Sequence, residues 1–106
     1  MVTNAKCTII RTNDDGEYSH VGSYDCMWQE TNGYMVDDNG EKRVSKAAVY
    51  IPDLSADVKK GDYVAKNTII TSKITEDDVD KMLTAMAVTK YDYGSLNMQH
   101  IRVVAQ

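Results

Sequence analysis

Phenylalanine is missing from the 106 residues, proline and tryptophan occur once each, and cysteine and histidine occur only twice each. Each shortage excludes something. Two cysteines and two histidines form neither a C-x-x-C nor an H-x-x-x-H pair, so no zinc site of recognisable spacing is written in the chain. Cys7 and Cys26 would have to converge with the distant His20 and His100 to make one, and a histidine on a strand surface or at a sheet edge explains both rings without metal. There is no basic excess: the net charge is −4, with acidic clusters at Asp14–Asp15, Asp37–Asp38 and Glu76–Asp78. A general DNA or RNA binder needs a basic stripe against phosphate, and none is present. No apolar run approaches membrane-spanning length or reads as a signal peptide, and no N-x-S/T acceptor occurs. Two unpaired thiols suit a reducing cytoplasm.

What the chain has instead is tyrosine, turns and β-branched runs. Seven tyrosines suit half-wet strand faces and interfaces, because one end of the ring is apolar and the other hydrogen-bonds. The length predicts a single domain with one modest core. Lys6–Arg11 reads as a strand. Asn13-Asp14-Asp15-Gly16 is a tight-turn signal, since Asp-Gly supplies positive-φ positions. Glu17–Glu30 follows as one long strand, or two broken near Gly22, with Cys26 and Trp28 on the buried face. About the centre of that turn, Cys7 falls nearer position 22 than 26, so simple register does not place the two cysteines for a disulfide. Thr31-Asn32-Gly33 and Asp37-Asp38-Asn39-Gly40 are further turns bracketing Tyr34-Met35-Val36. Val44–Ile51 reads as a strand with Ala47, Val49 and Ile51 on one face. It ends at Pro52, and a Lys60-Gly61-Asp62 turn launches strand pieces at Tyr63–Ala65 and Thr68–Lys73.

One helix is expected. Thr75 is an N-cap, Asp78 completes a capping box, and Glu76, Asp77 and Asp78 sit in the first turn, where the helix dipole favours negative charge. Val79, Met82, Leu83 and Met86 follow i, i+3, i+4, i+7, so the helix is expected to run to about Met86. Ala87–Asp92 then reads as a strand, Tyr93-Gly94-Ser95 as a turn and Met98–Val104 as the last strand. The fold class is mainly β (α+β): a small antiparallel β-barrel over 1–106 with one short helix near 75–86.

Catalytic patterns fail in turn. An EF-hand on Gly40 needs ligands at Met35 and Lys46, and one on Gly16 needs them at Arg11 and Gly22; none of the four supplies the required oxygen. Ser19 and His20 are adjacent, which on a strand points them to opposite faces. Neither a G-x-S-x-G elbow nor a phosphate-cradling glycine loop occurs. Asp77, Asp78 and Asp80 are explained by the helix start. Lys59, Lys60 and Lys66 around Tyr63 read as a solvated turn.

The order of motifs carries a resemblance. An acidic-glycine hairpin precedes a strand bearing Trp28, then come Val49-Tyr50-Ile51-Pro52 and Lys60-Gly61-Asp62-Tyr63-Val64. Ala87-Val88-Thr89-Lys90-Tyr91-Asp92 leads through Tyr93-Gly94-Ser95 to Met98-Gln99-His100-Ile101-Arg102-Val103. This resembles the head-closure, or head–tail connector, minor capsid proteins of tailed bacteriophages and of prophages of Gram-positive bacteria. The resemblance implies a non-enzymatic virion protein without cofactor, present in the bacterial cytoplasm during assembly and then in the virion. It implies a ring that closes the portal after DNA packaging, contacts portal or adaptor ring and tail proteins, lets DNA pass without specific binding and touches no membrane. The expected partner interface is the polar segment Asp53–Lys60, with Asp53, Leu54, Ser55, Asp57, Lys59 and Lys60. Two other classes stay open. One is a small β-barrel module for peptide or nucleic acid, with Tyr18, Tyr24, Tyr50 and Tyr63 as a stacking platform. The other is a small hydrolase or isomerase, for which the sequence shows no nucleophile–base pair.

Overall fold

The computed structural model describes residues 2–31, 34–36, 42–44, 46–67, 73–95 and 98–106. Its strands are β1 Ala5–Thr12, β2 Tyr18–Glu30, β3 Tyr34–Val36, β4 Lys42–Val44, β5 Ala47–Ile51, β6 Tyr63–Lys66, β7 Leu83–Tyr91 and β8 His100–Ala105, with one helix, α1 Glu76–Asp80. Six strands close an antiparallel barrel in the order β1-β2-β5-β8-β7-β6, while β3 and β4 form a separate two-stranded ribbon. The expected antiparallel barrel with one short helix is thus the observed fold. The expected turns at 31–33 and 37–40 and most of the expected strand at 68–73 fall on positions outside the described residues.

Alternation along the strands builds the interior. Cys7 and Ile9 of β1, Cys26 and Trp28 of β2, Ala47, Val49 and Ile51 of β5, Val64 of β6, Ala85 of β7, and Ile101 and Val103 of β8 share one buried cluster. Trp28 lies opposite Val49 across β2 and β5, and Val49 lies opposite Val103 across β5 and β8, so inward positions meet inward positions round the wall. The β1–β2 turn is as its sequence requires: Gly16 has φ +83° and donates its N–H to Asn13 O at 3.0 Å.

Several expectations are corrected. The long strand at 18–30 is unbroken but bulged: Ile9 faces Gly22 while Ile10 faces His20, which leaves Val21 as the extra residue. The bulge and the wider turn place Cys7 opposite Tyr24 rather than near position 22. Cys26 is then one inward position further along. Both thiols are free and buried, and they share a hydrogen bond. Val44 ends β4 and does not begin β5.

The largest correction concerns the helix. Its start is as expected: the Thr75 Oγ1 accepts the Asp78 N–H at 3.3 Å, and the Asp78 carboxylate accepts the Thr75 N–H at 3.0 Å. It ends at Asp80, little more than one turn later. Leu83 and Met86 belong to β7, whose strand begins four residues before the expected Ala87. The apolar stripe is compatible with either structure, and barrel closure decides between them. Thr84 exchanges two hydrogen bonds with Gln106, and Ala85 bonds Gly61 and Asp62, linking β7 to both of its neighbours. A helix through Met86 would turn the backbone of Thr84 and Ala85 inward to its own bonds and leave Gly61 N–H, Asp62 O and the Gln106 backbone without these partners.

Candidate functional site

The barrel has two unlike ends. At the first lie the β1–β2 hairpin, the β5–β6 connection and the β7–β8 connection. The β5–β6 connection contains the sequence-predicted interface, and it is not the simple polar loop expected there. Leu54, Ala56 and Val58 turn inward onto the core cluster, while Asp53, Ser55, Asp57, Lys59 and Lys60 are exposed. The segment therefore has an apolar edge that plugs the barrel end and a charged edge that faces out.

Two local devices hold that edge. Asp53 Oδ1 accepts the Ser55 N–H at 2.9 Å and its hydroxyl, and these bonds hold the Asp53 carboxyl below the ordinary aspartate range. At the far end, Asp62 is 3% exposed and accepts the Lys59 N–H at 2.8 Å. Arg11 grips the same carboxylate with Nε at 2.9 Å and Nη2 at 2.8 Å, and it reaches Asp57 Oδ2 with Nη1 at 3.1 Å. The Asp62 and Asp57 carboxylates raise the Arg11 pKa above its already high value. Arg11 and Asp62 are the residues that sequence reading missed. The only available signal was a charge on the inward face of β1 and an aspartate at a Gly-Asp turn.

Across this end, β7 and β8 are joined through Tyr93 and Met98, which are 70% and 66% exposed. Tyr91 and His100 stack at 4.8 Å beneath them, with Tyr93 edge-on to Tyr91 and Tyr50 tilted against His100. The four tyrosines considered as a stacking platform do not share a face. Tyr18 meets Tyr63 edge-on at 6.1 Å, Tyr24 covers Gly22 next to the core, and Tyr50 belongs to the His100 cluster.

The second end opens on a cavity of about 750 Å³. Trp28, Ala47, Val64 and Leu83 form its apolar floor, and Lys46, Lys66 and Lys81 stand round it with Glu30 and Asp78. Lys46 is fixed by its backbone, which accepts from Thr31 N–H and donates to Ala105 O. Lys81 closes the C-terminus of α1. Lys66 Nζ lies 5.9 Å from the Trp28 ring centroid. Asn4 pins Trp28 from the other side, accepting its N–H at 2.8 Å and donating to its carbonyl at 3.2 Å.

One pairing with chemical potential sits on the outer wall. His20 Nε2 is 3.1 Å from Ser23 Oγ, which is 3.1 Å from Thr8 Oγ1. The Val21 bulge puts these residues on one face although they are three apart. The ladder runs from the exposed His20 and Ser23 to the buried Thr8, outside the cavity, and its hydrogen bonds are already made within the sheet. Among the described residues, no group of three or more His, Cys, Asp or Glu side chains is placed to hold a metal. No helix there is long and apolar enough to cross a membrane.

No curated protein and no solved structure matches the chain significantly. One family model does match, described as "Family of unknown function (DUF6751)", over residues 2–106. That match spans nearly the whole chain, and the protein belongs to the DUF6751 family.

Proposed function

We propose that this protein is a structural subunit of the head–tail connector of a tailed bacteriophage or prophage, closing the portal after packaging and docking the tail. The observation that carries the reading is the first barrel end. There the charged edge of Asp53–Lys60 is held by Arg11 and Asp62 at the same barrel end as the exposed side chains of Tyr93 and Met98. A rigid scaffold presenting loops of mixed charge with an aromatic and a methionine is what a docking face requires. The motif order described above supplies the partner class: portal or adaptor ring on one side, tail proteins on the other. A chain of net charge −4 suits a passage that DNA traverses without sticking. In this reading the protein is not an enzyme, binds no cofactor, and occupies the bacterial cytoplasm before the virion.

The test is deletion of the gene in an inducible phage background, followed by electron microscopy of the particles. Loss should give DNA-filled heads that leak or lack tails. Complementation with Lys59→Glu/Lys60→Glu should leave folding intact, since exposed surface changes usually shift stability by under about 0.5 kcal/mol, yet fail to restore tailing. Normal tailed particles after deletion overturn the reading.

A further inference from the structure

The six barrel strands close on one another, each hydrogen-bonded to two neighbours over at least part of its length. The two ends carry opposite features. At the first, the β1–β2 turn presents Asp14, Asp15 and Glu17, all exposed, on a tip braced by Asn13 and Gly16. At the second, Lys46 and Lys81 flank the cavity over Trp28 and Leu83. Among the described residues, none of these five charges is in an ion pair. The 13 residues of β2 separate tip from cavity, so the two cannot meet within one molecule.

We infer that the cavity at the second end receives the acidic hairpin tip of a second copy of this chain, Asp14 and Asp15 meeting Lys46 and Lys81. Charge complementarity selects the occupant. In a chain of net charge −4 the described lining of the cavity carries three lysines, Lys46, Lys66 and Lys81, against two carboxylates, Glu30 and Asp78, of which Asp78 already feels Lys81. Such a contact is heterologous, with each copy using one surface to give and another to receive. Its repetition yields a closed ring where the rotation between copies closes. The β1–β2 tip lies across the barrel from β8 in the strand order, so a neighbour held there leaves Tyr93 and Met98 uncovered. The inference deepens the self-association required by the connector reading.

Two charge-swapped full chains test it: Lys46→Glu/Lys81→Glu and Asp14→Lys/Asp15→Lys. Sedimentation equilibrium is run from about 10 µM to about 1 mM at low and high salt. The wild type should self-associate, less so at high salt. Each variant alone should associate at least about tenfold more weakly, since like charges then face each other. An equimolar mixture of the two should associate again, because each tip then meets a cavity of opposite charge. That recovery also shows both variants to be folded. The neutral variants Lys46→Gln/Lys81→Gln and Asp14→Asn/Asp15→Asn give the same reading without repulsion and should each weaken wild-type association.

The inference is overturned if wild type and mixture both remain monomeric throughout. It is equally overturned if swapped or neutral variants associate as well as wild type. The two readings fail separately. Tailless heads on deletion, with normal virions from the charge-swapped alleles, remove the tip-to-cavity contact alone. Normal virions on deletion, with association recovered on mixing, remove the connector role alone.

Discussion

Arg11 and Asp62, 51 positions apart in sequence, meet in a two-point ion pair at 2.9 and 2.8 Å that ties β1 to the turn before β6. Planar guanidinium and carboxylate fit each other edge to edge, and Lys59 N–H supplies a third donor to the same carboxylate. The Asp62 side chain is 4% exposed and that of Arg11 28%, so the pair is buried on one side only.

Asp62→Ala is therefore expected to destabilise the fold by about 3 kcal/mol, the low end for breaking a buried pair, because Arg11 retains some access to water. Asp57→Ala, whose carboxylate is 58% exposed, should cost under about 1 kcal/mol. Urea denaturation of both variants reads the difference directly. Equal costs would show that the clamp is not where the strength lies.

Gly22 is held to glycine by a neighbour. A Cβ at that position would lie 2.4–2.9 Å from the Tyr24 ring and hydroxyl. Gly22→Ala should cost about 1–3 kcal/mol, as for overpacking. The same change in a Tyr24→Ala background should cost much less, and a double-mutant cycle with no coupling contradicts the contact.

Acid stability should depend on two carboxylates, Asp53 in the β5–β6 connection and Asp78 in the first turn of α1. Bonds from Ser55 hold Asp53, and bonds from Thr75 hold Asp78, below the ordinary aspartate range. A carboxyl whose folded pKa is depressed stabilises the fold above its unfolded value and loses that contribution as pH falls through the folded value. Stability should thus decline below about pH 4, and Asp53→Asn/Asp78→Asn should flatten that decline. Parallel thermal-melting profiles for wild type and the double variant reject it.

The two thiols should be silent in the folded state. The hydrogen bond to Cys26, with burial, pushes the Cys7 thiol up, and both side chains are fully buried. A thiol reagent should find both cysteines in denaturant and neither in native buffer, apart from a slow reaction at the rate of unfolding. Rapid labelling of the native protein counts against the packed hairpin.

Local chemistry was legible in the sequence. Gly16 marks the first hairpin, Ala47, Val49 and Ile51 alternate onto one face, and Thr75 with Asp78 announces a helix start; each signal is complete within a few residues. The outward charges of Asp53–Lys60 were equally plain. What the chain alone left open were the choices that depend on a partner far away. Residues 82–88 carry an apolar pattern that either a helix or a strand satisfies. They become strand because β6 and β8 each offer unpaired backbone that only an extended β7 can fill. Likewise, Leu54, Ala56 and Val58 look like loop residues until the barrel provides an open end to plug. The Val21 bulge brings His20 beside Ser23, and Cys7 and Cys26 into contact, through a register no local pattern encodes. Arg11 and Asp62 are unremarkable charges until closure sets them face to face. Propensity and periodicity act over a few residues, whereas pairing, register and burial are set by the closed sheet as a whole. The first hairpin turn, the helix start and the inward faces of β2 and β5 were therefore settled by the sequence, and the clamp, the lysine-flanked cavity and the braced docking edge only by the tertiary structure.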